Sequence, residues 1–186
     1  MKAIRSHLDG VMVLQPTIHG DSRGWFQETY RENVLAELGV MDHFVQDNHS
    51  RSERGVLRGM HVQLGDSPQA KLVRCARGAI WDVVVDLRRG SPTFGRWEAW
   101  QLDDESGLQV YCPVGCAHGF LVLSDVADVV YRCSNYYDPA CEHVLSYEDP
   151  EVGISWPPGE HTVSERDAAG RSVAELLPVL PEYFRS

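Results

Sequence analysis

The chain has 186 residues and a formal charge of −10, since 17 Lys and Arg residues face 27 Asp and Glu residues. This length predicts a single domain over residues 1–186, and a hydrophobic content of 43% suffices for an ordinary core. The acidic balance argues against a nucleic-acid-binding protein, because neutralising phosphates requires a basic surface. No apolar run approaches the roughly 20 residues of a membrane span, and no secretory signal is visible at the start. We therefore expect a cytoplasmic protein with neither nucleic acid nor membrane as partner.

The cysteine count also restricts the class of protein. The number is odd and no Cys-x-x-Cys pair occurs, which argues against a zinc cage or a disulfide framework. Buried, reduced thiols in a cytosolic protein are the expected state. The five cysteines are Cys75, Cys112, Cys116, Cys133 and Cys141.

Helices are predicted only near the two ends of the chain. In residues 31–38, Val34, Leu35 and Leu38 share one face at helical spacing, and Gly39 follows as a C-cap. A second short helix is predicted over residues 172–177, where a proline ends it.

Most of the remaining chain predicts short strands between turns. The predicted strands are rich in β-branched and aromatic residues, and Gly, Pro and Asp clusters separate them. Strands at this spacing are typical of a sandwich or barrel. We therefore predict a mostly-β domain, a cupin or jelly-roll β-sandwich barrel with short helices near the termini. The strongest of these strands cover residues 81–87, 94–102, 108–112, 120–123 and 126–133.

The densest polar cluster contains a further strand over residues 56–63. Strict alternation along it predicts Arg58 and Val62 on one side and His61 and Gln63 on the other. Cupin-type metal sites often place His-x-His on such a strand. Here the second position is Gln63, which lacks a strong metal-binding nitrogen, so no metal site is predicted.

Three weaker clusters follow along the chain. Residues 113–120 predict a turn that enters a strand with His118 at its mouth, and residues 130–139 predict an aromatic strand end. Residues 164–170 predict a polar loop. No Gly-x-Gly-x-x-Gly or P-loop pattern is present, so neither a nucleotide-dependent redox enzyme nor a kinase is indicated.

Taken in order, seven motifs between about residue 10 and residue 167 resemble the dTDP-4-dehydrorhamnose 3,5-epimerase family. This resemblance implies a cupin-fold isomerase that works without metal or other cofactor. It implies inversion of dTDP-4-dehydro-6-deoxy-D-glucose at C3 and C5, or at C3 only, in dTDP-rhamnose or related deoxysugar biosynthesis. The motifs are Asp21-Ser-Arg-Gly-Trp-Phe26, Gly55-Val-Leu-Arg-Gly-Met-His61, Lys71-Leu-Val-Arg-Cys75, Asp82-Val-Val-Val-Asp86, Ser91-Pro-Thr-Phe-Gly95, Ala117-His-Gly-Phe120 and the segment 149–157.

The resemblance also implies the catalytic roles. His61 matches the base, and Asp167 matches the carboxylate that orients it and stabilises its cation. Tyr131 matches the proton donor on the opposite face of the sugar. Lys71 matches the cation beside the C4 oxygen, where negative charge develops.

The remaining matched positions are implied to bind the substrate. Arg23 and Arg58 match diphosphate contacts, since guanidinium groups suit bidentate pairing. Arg166 stands where the family often has Lys, and Val62 replaces the usual aromatic residue, which predicts a reshaped sugar pocket. Tyr137 and Phe26 match the aromatic wall at thymine, His118 lies near the sugar, and Glu28, Gln46, Asn48 and Glu142 match polar contacts to the base and sugars.

The resemblance further implies a homodimer with exchange of an N-terminal segment, so that Arg23, Phe26 and Glu28 act in the partner's site. Three alternatives remain open on the residues. The first is a C3-only epimerase of a natural-product deoxysugar pathway. The second is a cupin sugar-nucleotide-binding protein without turnover, which the presence of both His61 and Tyr131 disfavours. The third is a cupin metalloenzyme such as a dioxygenase.

Overall fold

The computed structural model describes residues 1–183. Within this range the chain forms mainly short strands, with three short helices and one 3₁₀ turn. The strands are β1 Lys2–Arg5, β2 Met12–Gln15, β3 Ile18–Asp21, β4 Gly24–Gln27, β5 Gln46–Glu53, β6 Val56–Gln63, β7 Lys71–Arg77, β8 Ala79–Asp86, β9 Trp97–Asp103, β10 Gln109–Cys112, β11 Cys116–Val122, β12 Val126–Cys133, β13 Glu142–Val144 and β14 Thr162–Val163. The helices are α1 Glu32–Glu37, α2 Glu165–Ala168 and α3 Val173–Leu176, and the 3₁₀ turn is Leu177–Val179.

Two six-stranded sheets form the body of the molecule. The first has the strand order β1-β2-β10-β7-β12-β5, and the second has β13-β6-β11-β8-β9 with β14 pairing to β6. All pairings between these strands are antiparallel except that of β14 with β6. Strands β3 and β4 form a separate two-stranded sheet. The predicted mostly-β sandwich is confirmed.

The main hydrophobic core lies between the two sheets. Val73 and Val129 from the first sheet pack in one cluster with Ile80, Val84 and Phe120 from the second. Alternate residues of a strand point to opposite faces, so each sheet contributes every second residue to this core. The core closes one part of the space between the sheets, and the functional pocket occupies another.

A second apolar cluster covers the outer face of the second sheet. Val83 and Val85 of β8 belong to it, together with Leu145 and with Leu176 and Leu180 from the C-terminal segment. Strand β8 is therefore buried on both faces, which explains its continuous run of valines. The segment that ends the described chain is thus part of the same packed structure.

The predicted helices are confirmed and one predicted loop is wrong. Helix α1 lies within residues 31–38, and Gly39 follows it with a φ of +98°, as a C-cap requires. Helix α3 begins after Ser172, whose side chain and Glu175 form a capping box. Residues 164–170 contain helix α2 instead of a loop, because the Ser164 hydroxyl caps it. No helix within residues 1–183 is long and apolar enough to cross a membrane.

Strands β6 and β11 approach each other most closely at Gly59 and Gly119. A Cβ atom added to Gly59 would lie 2.5 Å from the Cα atom of Gly119. One added to Gly119 would lie 2.5 Å from the Met60 Sδ atom and 2.8 Å from the Arg58 carbonyl oxygen. Only glycine fits at this contact, since real Cβ atoms do not approach other heavy atoms so closely.

We expect Gly119→Ala to destabilise the fold by roughly 1–3 kcal/mol, because the new methyl group overpacks a contact made largely by backbone. Urea denaturation monitored by circular dichroism measures this change. Gly20→Ala is the matched control, since a Cβ atom there meets only the Gly24 carbonyl oxygen at 3.8 Å. Equal stability of the Gly119→Ala and Gly20→Ala variants would contradict the close-contact argument.

Candidate active site

A pocket of about 380 Å³ opens between the two sheets. Ten of the residues predicted for the site line it, and four further lining residues were not predicted. The ten predicted residues are Gln46, Asn48, Arg58, His61, Lys71, His118, Tyr131, Tyr137, Glu142 and Arg166. The additional residues are Ser50, Gln69, Phe120 and Cys133. The sequence could have indicated Phe120 and Cys133, because both residues lie within predicted strands.

His61 and Asp167 form a hydrogen-bonded pair at the wall made by β6. The Nε2 atom of His61 lies 2.7 Å from the Asp167 Oδ1 atom. Asp167 comes from helix α2, and its backbone N–H donates to the Ser164 hydroxyl at 3.1 Å. The histidine is partly exposed and the carboxylate behind it is buried. This is the orientation of an imidazole base held by a carboxylate.

The Asp167 carboxylate is stabilised as an anion. Burial is the largest single effect and acts to raise its pKa, whereas the hydrogen bond and the electrostatic interaction with His61 act to lower it. The Gly59 backbone N–H also donates to the Asp167 Oδ2 atom at 3.1 Å, and Arg166 adds a nearby positive charge. The net result is a pKa below the usual value. Asp167 therefore stays charged at neutral pH and can hold the His61 ring in place through their hydrogen bond.

The predicted alternation along residues 56–63 is wrong at Arg58. The strand register pairs His61 with His118 and Arg58 with Phe120, so three steps on β6 match two steps on β11. The extra residue is a bulge that reverses the side on which the following side chains point. Arg58 therefore shares the pocket with His61, and its Nε atom donates to the Ser52 hydroxyl at 2.9 Å.

The sequence predicted His118 at the mouth of a strand, but this residue lies inside strand β11. It is only 7% exposed, and its Nε2 atom lies 2.7 Å from the Asp82 Oδ1 atom. Asp82 is fully buried in β8 beneath the pocket. Asp82 is not among the predicted site residues, although a carboxylate beside a run of valines is a signal of a buried, paired acid.

Tyr131 and Lys71 stand on the wall made by the first sheet, on β12 and β7 respectively. Burial raises the pKa of the Tyr131 phenol above its usual value, and a hydrogen bond with Asn48 acts in the opposite direction. The phenol is therefore a proton donor at neutral pH. Lys71 is 7% exposed and forms no ion pair with any residue in the range 1–183. A buried ammonium without a carboxylate partner suits a ligand that brings negative charge.

The rim of the pocket is a connected polar network. The Tyr137 hydroxyl donates to the Glu142 Oε2 atom at 2.8 Å, and the Arg166 guanidinium donates to the same atom. The Tyr137 backbone N–H donates to the Gln46 Oε1 atom at 2.9 Å. Gln63 holds the adjoining loop, because its amide bonds the backbone of residues 136 and 138. These contacts hold the Tyr137 side chain, which is 49% exposed, at the rim of the pocket.

Four further expectations have clear outcomes. Val62 is fully buried in the outer apolar cluster and does not line the pocket, so its predicted effect on the sugar pocket is wrong. Arg23, Phe26 and Glu28 also lie outside the pocket of their own chain. Arg23 and Phe26 belong to the β3–β4 hairpin region, where Phe26 is 69% exposed.

The five cysteines carry free thiols, and four of them are buried. Within residues 1–183 no group of three or more His, Cys, Asp or Glu side chains is arranged to hold a metal ion. Cys133 lines the pocket, and burial raises the pKa of its thiol to about 11. This thiol is therefore neutral near pH 7 and is a poor nucleophile.

The acid–base groups on the two walls of the pocket suit proton transfer at a carbon atom between them. A carboxylate-supported imidazole occupies one wall, and a protonated phenol occupies the facing wall. A buried ammonium lies on the phenol's side. Such a pocket can remove a proton from one face of a carbon next to a carbonyl group and return one to the other face.

Comparisons with known proteins agree with this geometry. Residues 5–175 match the family model described as dTDP-4-dehydrorhamnose 3,5-epimerase. The chain is 44% identical over 179 residues to the dTDP-4-dehydrorhamnose 3,5-epimerase of Salmonella typhimurium, covering 95% of this chain and 98% of the relative.

Two solved structures extend the comparison. The dTDP-6-deoxy-D-glucose-3,5-epimerase of Legionella pneumophila, in complex with dTDP-4-keto-L-rhamnose, superposes with a TM-score of 0.96 at 43% identity, covering 99% of each chain. A 3'-monoepimerase of Streptomyces bikiniensis, in complex with dTDP-quinovose, gives 0.89 at 41% identity, covering 96% of this chain and 92% of the other. The pocket, the fold and the near-complete matches lead to one conclusion: this chain belongs to the dTDP-4-dehydrorhamnose 3,5-epimerase family.

Proposed function

We propose that this protein is a cofactor-independent epimerase of dTDP-4-dehydro-6-deoxy-D-glucose that inverts C3 and C5. The observation that carries the proposal is the placement of His61 and Tyr131 on opposing sheets of one pocket. Inversion needs a base on one face of the carbon and a proton donor on the other. The C4 ketone makes the hydrogens at C3 and C5 acidic enough for an imidazole to remove.

His61 takes the proton in this scheme. Its Nε2 atom is bonded to Asp167, so Nδ1 is the ring nitrogen that faces a bound sugar. Asp167 stabilises the imidazolium as it forms and keeps the ring in place. Tyr131 then delivers a proton to the opposite face of the same carbon, and burial favours the neutral phenol that this step requires.

Lys71 stabilises the intermediate between these two steps. Removal of the proton moves negative charge to the C4 oxygen, and a buried ammonium nearby lowers the energy of that state. A donor of this kind contributes roughly 3–4 kcal/mol to transition-state stabilisation in other enzymes.

The remaining pocket residues bind the nucleotide and the sugar. Arg58 and Arg166 supply positive charge for the diphosphate, and Tyr137 supplies an aromatic face for thymine. Ten lining residues coincide with the set implied by the motifs, His118 and the polar contacts Gln46, Asn48 and Glu142 among them.

We also propose a homodimer in which the β3–β4 hairpin completes the partner's pocket. Trp25 and Phe26 are 58% and 69% exposed on this hairpin, which pairs with no other strand of residues 1–183. Exposed aromatic side chains of this size are unusual on a monomer surface and suit an interface. Arg23, Phe26 and Glu28 would then reach a substrate in the neighbouring subunit.

Two broader proposals follow from the same structure. Residues 1–186 act as one domain, since the C-terminal segment packs on the same sheet as Met60 and Val62. The protein works in the cytoplasm, where thiols such as its five free cysteines stay reduced.

A C3-only epimerase is the second candidate function. The similarity to the 3'-monoepimerase of Streptomyces bikiniensis favours it, because its 41% identity nearly equals that of the 3,5-epimerases. Both versions use the same base and donor. They differ in whether the proton at C5 also reaches His61.

Solvent exchange tests the reaction and the base together. With dTDP-4-dehydro-6-deoxy-D-glucose in deuterated water, we expect NMR to locate deuterium at both C3 and C5. His61→Ala should lower this exchange by at least about 10²-fold, because the base is lost, while dTDP binding persists. His143→Ala is the matched control, since this histidine bonds Arg171 outside the pocket.

Each other outcome of that experiment has a meaning. Deuterium at C3 alone would select the C3-only version. Exchange at the wild-type rate in His61→Ala would disprove the assignment of the base. Binding without exchange in the wild-type protein would select a non-catalytic sugar-nucleotide-binding protein.

The protonation state of Tyr131 gives a second prediction. Burial raises the pKa of this phenol above the usual 10.0, so the proton donor persists as the pH rises through that value. Ultraviolet titrations of the wild type and of Tyr131→Phe measure tyrosine ionisation in each protein. The difference between the two curves is the signal of Tyr131, and we expect it to appear only above pH 10.0. Loss of a tyrosine that ionises at lower pH would contradict the proposed donor state.

Hybrid dimers test the exchanged hairpin. Arg23→Ala and His61→Ala should each be severely impaired as homodimers. After denaturation and refolding of an equal mixture, about a quarter of all sites should be intact if Arg23 serves the partner, because hybrid dimers form in half of the pairs. Refolding each variant alone is the control. No gain in activity, or a fully active monomer by light scattering, would rule out exchange.

A further inference from the structure

The pocket contains a second histidine–carboxylate pair beside the first. His118 on β11 pairs directly with His61 on β6 in the antiparallel register. Each histidine uses its Nε2 atom to contact a carboxylate at 2.7 Å, Asp82 for His118 and Asp167 for His61. Both rings line the pocket, and in both the Nδ1 atom is the nitrogen left for a bound molecule.

The two carboxylates have different surroundings. The second oxygen of Asp167 accepts the Gly59 N–H at 3.1 Å. The second oxygen of Asp82 is buried and has no hydrogen-bond partner among residues 1–183. Asp82 is 0% exposed, and its cross-strand neighbours are Phe120 and Trp100. A buried carboxylate with a single partner is costly as an anion unless that partner carries the compensating charge.

This difference has opposite effects on the two carboxylates. Burial raises the pKa of Asp82, and the contact with His118 offsets the effect only in part. The pKa of Asp167 is instead lowered, because the hydrogen bonds from His61 and Gly59 outweigh burial. The fully buried Asp82 carboxylate, whose second oxygen has no partner among residues 1–183, is stabilised best when it shares an additional proton with the Nε2 atom of His118. Whichever partner holds that extra proton, the Nδ1 atom of His118 carries a hydrogen.

We propose that His118, held by Asp82, is a second catalytic residue of the pocket: it donates a proton to the carbonyl oxygen while His61 removes the proton from the adjacent carbon. This inference rests on the proposed epimerase function. Side chains opposite each other in an antiparallel pair have Cβ atoms about 4.5–5.5 Å apart. The oxygen of a ketone lies two bonds from its α-carbon, so neighbouring imidazoles can reach both atoms of one substrate.

The proton transfers balance. His61 takes the hydrogen on the α-carbon, and the electrons of that C–H bond form the carbon–carbon double bond. Negative charge that develops on the C4 oxygen beside Lys71 is neutralised as the carbonyl π electrons form an O–H bond with the hydrogen from His118 Nδ1. The product is an enol, and the electrons of the broken N–H bond stay on His118. In the second half, Tyr131 protonates the opposite face of the carbon, the O–H proton returns to His118, and exchange with solvent resets His61 and Tyr131.

The two histidine–carboxylate pairs receive opposite roles, acid for His118 and base for His61, and this follows a general rule of acid–base catalysis. Groups whose surroundings push their protonation equilibria apart take the acid and base roles. Lys71 supplies positive charge from the facing sheet, and His118 supplies a transferable proton from the same sheet as the base. The titratable and charged groups that share the pocket with His118 are His61 with Asp167, Arg58, Lys71, Cys133, Tyr131, Tyr137, Glu142 and Arg166.

Asp82→Asn tests the proposal, because the amide preserves the shape and a hydrogen bond to His118 but cannot hold the extra proton. We expect kcat to fall about 10²-fold, with KM nearly unchanged and exchange at the α-carbon slowed equally. A rise in KM with unchanged kcat would show that His118 only binds the sugar and would overturn the proposal. Asp128→Asn is the matched control, since that buried carboxylate pairs with Arg51 away from the pocket and should leave kcat unchanged.

A second measurement does not depend on whether Asp82→Asn folds. Nitrogen NMR of wild-type protein labelled in its histidines reports the protonation of each ring atom, and His118→Asn identifies the signals. We expect the Nδ1 atom of His118 to be protonated near neutral pH. An unprotonated Nδ1 would overturn the proposal. Failure of the wild type to turn over the 4-keto sugar would instead refute the epimerase function, which this measurement does not involve.

Discussion

The close contact of β6 with β11 is the constraint on which the site depends. At Gly59 and Gly119 the two backbones meet with no room for a Cβ atom, and one extra residue on β6 shifts the register there. The shift turns Arg58 toward the same space as His61. It also leaves His61 directly opposite His118, so that two imidazoles stand side by side. If the two strands were farther apart, the His61 and His118 side chains would no longer lie next to each other.

Two similar pairs acquire different roles through the atoms behind them. Asp167 lies at the beginning of a short helix, where a backbone N–H and a nearby arginine stabilise its charge. Asp82 lies in the middle of a sheet beside Phe120 and Trp100, and among residues 1–183 only His118 forms a hydrogen bond with its carboxylate. The residue types are the same, and the difference in their surroundings is the basis of the different roles proposed for His61 and His118.

The distribution of charge is more informative than its sum. The chain as a whole carries −10, yet Arg58, Lys71 and Arg166 meet in one pocket with Glu142 as the opposing charge within it. Net charge affects solubility and long-range interactions, whereas a small anionic ligand responds to the few charges within reach. A net negative charge on the whole chain is therefore compatible with a substrate that carries a nucleotide diphosphate.

Much of the fold and part of the site could be predicted from the sequence by itself. The strand at Val126–Cys133, the helix that Gly39 ends and the capped helix after Ser172 follow from local patterns, because turn chemistry and side-chain periodicity act over a few residues. The ordered motifs identified the family and ten pocket residues. Only the tertiary structure decided that Arg58 joins His61, that Val62 faces away from the pocket and that Asp82 supports His118. Those facts depend on a bulge and on burial between sheets, which arise from contacts between residues far apart in the chain and leave no periodic trace in it.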